Sequence, residues 1–329
     1  MRRILALLAA SVLGCSAAAP TPSATPPSAP VPPPPQRSEW LTSLDRDHPL
    51  VGKVWGTKAR AFVAPSLVVP QLAAARLVLL GERHDNPDHH RLQGAVISEL
   101  VKAGRKPAVV LEMLEVEQQP IVDAYLQEPT ANVAGFGSAV GWEKTSWPPL
   151  REYQPVLEAA FAGKLPIAAG NVSQADAKAL VKQGISALSA ERVAELRLDR
   201  AFPEELQQSL LAELRASHCG HLPDQYLAPM ALAQHARDAQ LAQVLVRVGA
   251  KEGAVLIAGA GHARLDRGVP YYLELAAPES SVVSLAFREV QSGHDEPGDY
   301  LADEGPFDFV WFTPRASDED PCAAFAPKK

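Results

Sequence analysis

The feature that most narrows what this chain can fold into is a pattern that occurs twice. Residues 76–87 read Arg-Leu-Val-Leu-Leu-Gly-Glu-Arg-His-Asp-Asn-Pro, an apolar run that breaks at Gly81 and empties into charge. Residues 254–262 read Ala-Val-Leu-Ile-Ala-Gly-Ala-Gly-His, again an apolar run, a glycine, and a histidine three residues later. A short apolar run closed by glycine and polar residues fits a strand buried on both faces of a parallel sheet better than a helix. Open α/β sheets hold ligands in the crevice outside the carboxyl ends of such strands. If the two strands are near neighbours, His84 and His262 face one crevice with Glu82 beside them. A third run, residues 108–113, carries Glu112 at the same relative place.

The rest of the chain supports an α/β fold with a central, mostly parallel sheet flanked by helices. Strand, glycine, polar residue and helix recur in the manner of βαβ units. Residues 89–103 have Leu92, Val96 and Leu100 at helical spacing, and 117–127 and 153–162 also read as helices. Residues 165–171 read as a strand, and 282–287 and 309–312 as closing strands. Residues 132–149 are too irregular to assign. A helical insertion is expected over about 173–217, and a long helix over 224–248 containing Met230, Gln234, Arg237 and Asp238. Met230 is expected in the core, while His89 and His90 open a helix and are expected at the surface. Upstream, Trp40, Leu41 and Leu44 suggest a short helix. Residues 51–69, broken by Gly52, Gly56 and Pro65, suggest an edge hairpin.

At 329 residues and 47% hydrophobic composition the chain can bury a large core. A formal charge of -7 argues against nucleic acid as a partner, since phosphate binding needs a basic footprint. The first residues, Met1-Arg2-Arg3 and then an apolar stretch ending in Leu13-Gly14-Cys15, form a signal segment too short to span a bilayer. It resembles a bacterial lipobox with Cys15 as the lipidated residue, which makes 1–14 a lipoprotein signal peptide. Residues 15–36, rich in Ala and Pro, read as an extended tether. The α/β domain is expected over 37–315, followed by a tail over 316–329.

Taken together, Gly81-Glu82-Arg83-His84-Asp85, Leu111-Glu112-Met113, His218-Cys219-Gly220, Gln234-His235-Ala236-Arg237-Asp238 and Gly259-Ala260-Gly261-His262-Ala263-Arg264 resemble the ChaN family of bacterial haem-binding lipoproteins. That family belongs to a wider group with the Tiki metalloproteases and the erythromycin esterases. The resemblance covers roughly residues 40–315. It implies a haem-binding envelope lipoprotein of a Gram-negative bacterium, acting in iron uptake. It also implies a homodimer and an outer-membrane haem receptor as partners. Ser16 after the lipidated cysteine fits sorting to the outer membrane, the membrane being contacted through the lipid alone.

Two functions from different classes remain open on the residues. As a haem carrier, the chain lacks a Cys-x-x-Cys-His attachment motif, so haem is bound non-covalently. The candidate binding residues are His84, His218, His221, Tyr226 and His262, because haem iron accepts His, Cys, Met or Tyr. As a metal-dependent hydrolase or protease, Glu82, His84, Glu112 and His262 hold a divalent ion or activate water. A third reading of the same residues is a buried charge network with Arg83 or Arg264 as counter-ion. Once Cys15 carries lipid, Cys219 and Cys322 form an even pair in a compartment where disulfides persist. They are expected to be bonded to each other; the competing reading is two free thiols, with Cys219 then a soft ligand.

Overall fold

The two Gly-x-x-His runs form neighbouring parallel strands in the middle of one eight-stranded sheet. The computed structural model describes residues 40–304, 307–320 and 322. The lipobox around Cys15 and the tether over 16–36 lie outside the described residues. In chain order the elements are β1 (Val54–Gly56), β2 (Ala61–Val63), α1 (Pro65–Ala74), β3 (Leu77–Glu82), α2 (Pro87–Lys102), β4 (Ala108–Glu115), α3 (Gln119–Leu126), α4 (Val133–Val140), α5 (Leu150–Ala162), β5 (Ile167–Asn171), α6 (Gln174–Gln183), α7 (Ala190–Glu195), α8 (Glu204–Ser217), α9 (Asp224–Val248), β6 (Ala254–Gly259), α10 (Val269–Ala276), β7 (Val282–Glu289), α11 (Gly298–Glu304) and β8 (Phe309–Thr313).

The strand order is β2-β1-β8-β7-β3-β6-β4-β5, with β8 through β5 parallel and the β1–β2 hairpin antiparallel at one edge. Side chains alternate across each strand. Val78 and Leu80 join a core with α1 to α5, whereas Leu77 and Leu79 join a second core with α6, α9 and α10. Each such buried aliphatic side chain contributes about 1.5–3 kcal/mol. The result is a three-layer sandwich in which both sheet faces are covered, as continuous apolar strands require.

The connections explain where a crevice must open. From β3 to β4 to β5 the chain steps toward one edge, with its helices in the first core. From β5 it returns to β6 and β7 in the opposite direction, with its helices in the second core. Right-handed crossovers moving in opposite directions along a sheet have to use opposite faces. The connections leaving β6 and its two neighbours on the β3 and β4 sides therefore diverge. This switch point, at the carboxyl ends of β3, β6 and β4, is where an open α/β sheet leaves room for a ligand.

Several local expectations are corrected. Residues 40–44 are not helical: Trp40 is buried, Leu41 is exposed, and Leu44 forms an isolated bridge with Arg315. The Asp88 carboxylate accepts from the amides of Leu41 and Thr42, which fixes this segment by a contact distant in sequence. Residues 54–63 do form the edge hairpin, but Pro65 starts a helix instead of ending a strand, consistent with the preference of proline for the first helical turn. The unassigned stretch 132–149 contains α4, which stops at Gly141 in the left-handed conformation. His89 and His90 are fully buried, because α2 starts directly under the ends of β3 and β8. His89 accepts from the Arg83 amide through Nδ1 and meets the Thr313 hydroxyl through Nε2; burial lowers it to about 3. Gly94 allows α2 and α5 to touch, since a Cβ there would lie 2.5 Å from the Pro155 carbonyl oxygen. That approach brings His90 of α2 against Tyr153 of α5, ring centroids 4.0 Å apart.

Candidate functional site

At the switch point, acids and imidazoles alternate across the strand ends. Glu82, the last residue of β3, accepts from the Tyr153 hydroxyl at 2.7 Å and from His84 Nδ1 at 2.9 Å through Oε1, and its Oε2 lies 3.4 Å from His90 Nε2. His84 Nε2 is 3.9 Å from Oε2 of Glu112 on β4, which also accepts from the Gly259 amide at 2.8 Å. The other Glu112 oxygen is 3.2 Å from His262 Nε2, and His262 Nδ1 is 2.6 Å from the Asp238 carboxylate on α9. The order is thus His90, Glu82, His84, Glu112, His262, Asp238.

This alternation is what allows three carboxylates to be buried at one place. Burial alone would raise Glu82 and Glu112, but the flanking imidazoles reverse this, holding Glu82 well below the usual range and Glu112 at about 2. Burial alone would lower His262, yet Glu112 and Asp238 override it and hold His262 up at about 10. Asp238 is raised, first by burial and then by the like charge of Glu112, with the His262 bond opposing both. His84, about a third exposed, is likewise raised: the Glu82 bond and the Glu112 charge exceed its burial cost. A donor bond from Nδ1 to Glu82 leaves Nε2 as the nitrogen with an available lone pair whenever His84 is neutral. Gly259 leaves room for that ring, because a Cβ there would lie 2.9 Å from His84 Nε2.

A cleft of about 570 Å³ opens beside this cluster. His84, Glu112 and His262 form its floor, and α6, α8 and α9 form its walls. The walls are apolar at Ala177, Val181, Leu214, Met230 and Ala233, and cationic at Lys178, Lys182 and Arg237. His218, at the end of α8, lines the same cleft, and its Nδ1 lies 2.8 Å from the Leu214 carbonyl oxygen. A smaller cavity of about 310 Å³ lies alongside and shares His84, Glu112, Gln174 and Arg237 with it.

The structure therefore brings together Glu82, His84, Glu112 and His262, and places His218 on the adjoining wall. His221 and Tyr226 are exposed and do not line the cleft. Met230, expected in the core, is half-buried and faces the cleft, because its stripe on α9 continues through Gln234 and Arg237 to the site. Cys219 and Cys322 are joined across 103 residues, Cα–Cα 5.6 Å, which leaves Cys219 no thiolate to offer. Neither expected counter-ion reaches the cluster: Arg83 pairs with Asp85 and Glu289, and Arg264 with Asp266 and Glu213. The histidines themselves balance the acids. Among the described residues no group of three His, Cys, Asp or Glu side chains is arranged to hold a metal ion. His262 in particular has both nitrogens committed to carboxylates.

Tyr153, His90 and Asp238 belong to the site without standing out from the sequence as members of it. Asp238 had a usable signal: Met230, Gln234 and Asp238 recur every four residues, with Arg237 beside them, on a helix otherwise rich in alanine and leucine. Tyr153 and His90 had none, since both depend on the α2–α5 contact.

Comparisons with known proteins follow the same line. The family model described as haem-binding uptake, Tiki superfamily, ChaN matches residues 68–273. Among solved structures, cofacial haem-bound ChaN of Campylobacter jejuni is similar at 20% identity and TM-score 0.64, covering 78% of this chain and 95% of that one. The type III effector HopBA1 follows at 12% identity and TM-score 0.40, covering 75% and 91%. A mutant of the erythromycin esterase EreC, in its open conformation, follows at 15% and 0.38, covering 69% and 73%. The last two scores are too low to bear on function. A comparison with curated protein sequences found no match. With more than half of its length matched by the family model, this chain belongs to the ChaN family of haem-binding uptake proteins in the Tiki superfamily.

Proposed function

We propose that this protein binds haem non-covalently in the cleft between α6, α8 and α9, above the ends of β3, β6 and β4. The observation that carries the reading is the composition of the cleft. Apolar walls at Ala177, Val181, Leu214, Met230 and Ala233 suit a flat macrocycle, the cationic residues suit its carboxylates, and His84, His218 and Met230 offer donors of types that haem iron accepts. Haem, when bound, supplies an iron centre and a large apolar surface. The chain's own part is to exclude water with the walls and to orient His84 through Glu82.

Haemin titration followed in the Soret region tests this. A saturable, shifted band is expected, and His84→Ala or His218→Ala should alter it while the far-ultraviolet circular dichroism is unchanged. No saturable band would overturn the proposal. The metal-dependent hydrolase reading draws less support, because His262 keeps no nitrogen for a metal. Stoichiometric divalent metal in the purified protein, without a haemin response, would revive it.

We propose further that the protein is a lipoprotein of a Gram-negative envelope, anchored at the outer membrane through Cys15. The Leu13-Gly14-Cys15 triplet and the proline-rich stretch after it support this. Cys15→Ser should leave the precursor uncleaved and unlipidated; a diacylated mature species in the variant would refute it. A homodimer, and delivery of haem by an outer-membrane receptor, follow from the family resemblance alone.

A further inference from the structure

Arg237 stands apart from the other arginines around the fold's functional end. Arg83, Arg192, Arg264, Arg267 and Arg315 each pair with a carboxylate. Arg237 is half-buried on α9, and among the described residues it forms no hydrogen bond or ion pair. It lies where the two cavities meet, lining both. The acids close to it in the site are already committed: Glu112 to the Gly259 amide and His262, Asp238 to His262. A half-buried guanidinium gives up hydration and needs an acceptor in return, and its planar fork is matched by a carboxylate.

The α6 wall adds to this. Lys178 and Lys182 lie one turn apart on α6, a like-charged spacing that disfavours an isolated helix. The side-chain partner of Lys178 is the neutral amide of Gln174, at 3.0 Å. Three cations thus border one apolar cleft in a chain whose formal charge is -7.

We infer that Arg237 receives one carboxylate of the bound ligand and that Lys178 and Lys182 receive a second, so that the cleft selects planar apolar molecules with an acidic edge. The inference rests on the haem reading above and adds to it a basis for selectivity: the carboxylates, and not the iron alone, decide affinity. It assigns Arg237 to ligand recognition instead of to the fold.

The test compares haemin with haemin dimethyl ester, which keeps the iron and the macrocycle and lacks only the ionised carboxylates. Both are titrated in the Soret region in the same detergent, against the full chain and against Arg237→Met, Arg237→Lys and Lys178→Met/Lys182→Met. The unaltered protein should bind haemin at least tenfold more tightly than the ester, about 1.4 kcal/mol. Arg237→Met should bring haemin down toward the ester, leaving the ester unchanged, and Arg237→Lys should recover part of the difference. The double lysine variant should lose haemin affinity in the same selective way. Equal binding of haemin and ester by the unaltered protein would overturn the inference while leaving the haem reading intact. Equal loss for both ligands in Arg237→Met would also overturn it, by showing a structural role. Absence of binding by either ligand would overturn the haem reading and this inference together. Should Arg237→Met fail to fold, the haemin-to-ester ratio of the unaltered protein and of Arg237→Lys still decides.

Discussion

Replacing His262 by glutamine should expose how the strand-end cluster is held together. The imidazole bridges Glu112 and Asp238 with side-chain exposures of 7%, 4% and 5%, so its charge is scarcely screened by solvent. A folded value of about 10 against an ordinary 6.5 corresponds to an upper limit of about 5 kcal/mol of stability carried by the protonated ring. Breaking a buried pair from one side typically costs about 3–5 kcal/mol, which agrees. The sign follows from the direction of the shift. His262 is raised, so its contribution is complete below 6.5 and is lost as pH climbs toward about 10. Glu112 is depressed, so its contribution is complete above 4.5 and is lost as pH falls toward about 2. Urea unfolding at pH 3, 5, 7 and 9 reads both, the step from 5 to 3 reporting Glu112 and the step from 7 to 9 reporting His262. The unaltered protein should lose stability between pH 7 and 9. His262→Gln should be about 3–5 kcal/mol weaker at pH 7, and the gap should narrow toward pH 5 as the stranded carboxylates take up protons. His262→Gln/Asp238→Asn should recover part of the loss, because it removes a carboxylate the single variant leaves uncompensated. A gap under about 1 kcal/mol at pH 7, or one that does not change with pH, would refute the coupling.

Tyr153→Phe removes the 2.7 Å donor to Glu82 and should cost about 1.5–3 kcal/mol in chemical denaturation; an unchanged midpoint would show that the hydroxyl is dispensable. Gly259→Ala places a Cβ 2.9 Å from His84 Nε2, so it should displace the ring and weaken haemin binding at least tenfold with little change in melting temperature, whereas an unaltered Soret titration would separate His84 from the ligand. Titration with a thiol probe in denaturant should find no free cysteine among Cys219 and Cys322 before reduction and two after it. Reduction should lower stability by at most about 4–5 kcal/mol for a separation of 103 residues, and two free thiols in the unreduced protein would refute the bond.

The parts of this fold that could be read in advance are those encoded by local pattern. The strands ending at Glu82 and Gly259, the acid at Glu112 and the helix over 224–248 are each written in a continuous run of side chains, and the paired glycine-to-histidine spacing pointed to one crevice. What escaped depends on contacts between distant segments. His89 and His90 have the sequence appearance of an exposed helix start; they are buried because α2 begins beneath the sheet, a fact of topology. Tyr153 reaches Glu82 only because Gly94 and Pro155 let two helices meet. The segment at Trp40 is fixed by Asp88, nearly fifty positions away, and no local propensity could anticipate that. In the expected charge network the arginines were the natural counter-ions by proximity in sequence, yet the acids found histidines instead.

That preference for histidine has a physical basis in the geometry of the switch point. A guanidinium bonded to Glu82 or Glu112 would fill the crevice and leave it permanently charged, with no group able to release a proton or offer a lone pair. A protonated imidazole between two carboxylates offsets one of their charges in less space, and it presents a nitrogen to each. The floor of the cleft can then be both rigid and reactive: rigid because Glu82, Glu112 and His262 issue from the ends of adjacent buried strands, reactive because His84, partly exposed at the edge, is oriented by Glu82 without being sealed in. The walls come instead from α6, α8 and α9, outside the central sheet, and carry the apolar and cationic groups. Stability and ligand choice are thereby assigned to different layers. Changes at the buried Glu82, Glu112 or His262 disturb folding and binding together, while changes at His84, Lys178, Lys182 or Leu214 alter what binds with little effect on the sheet beneath.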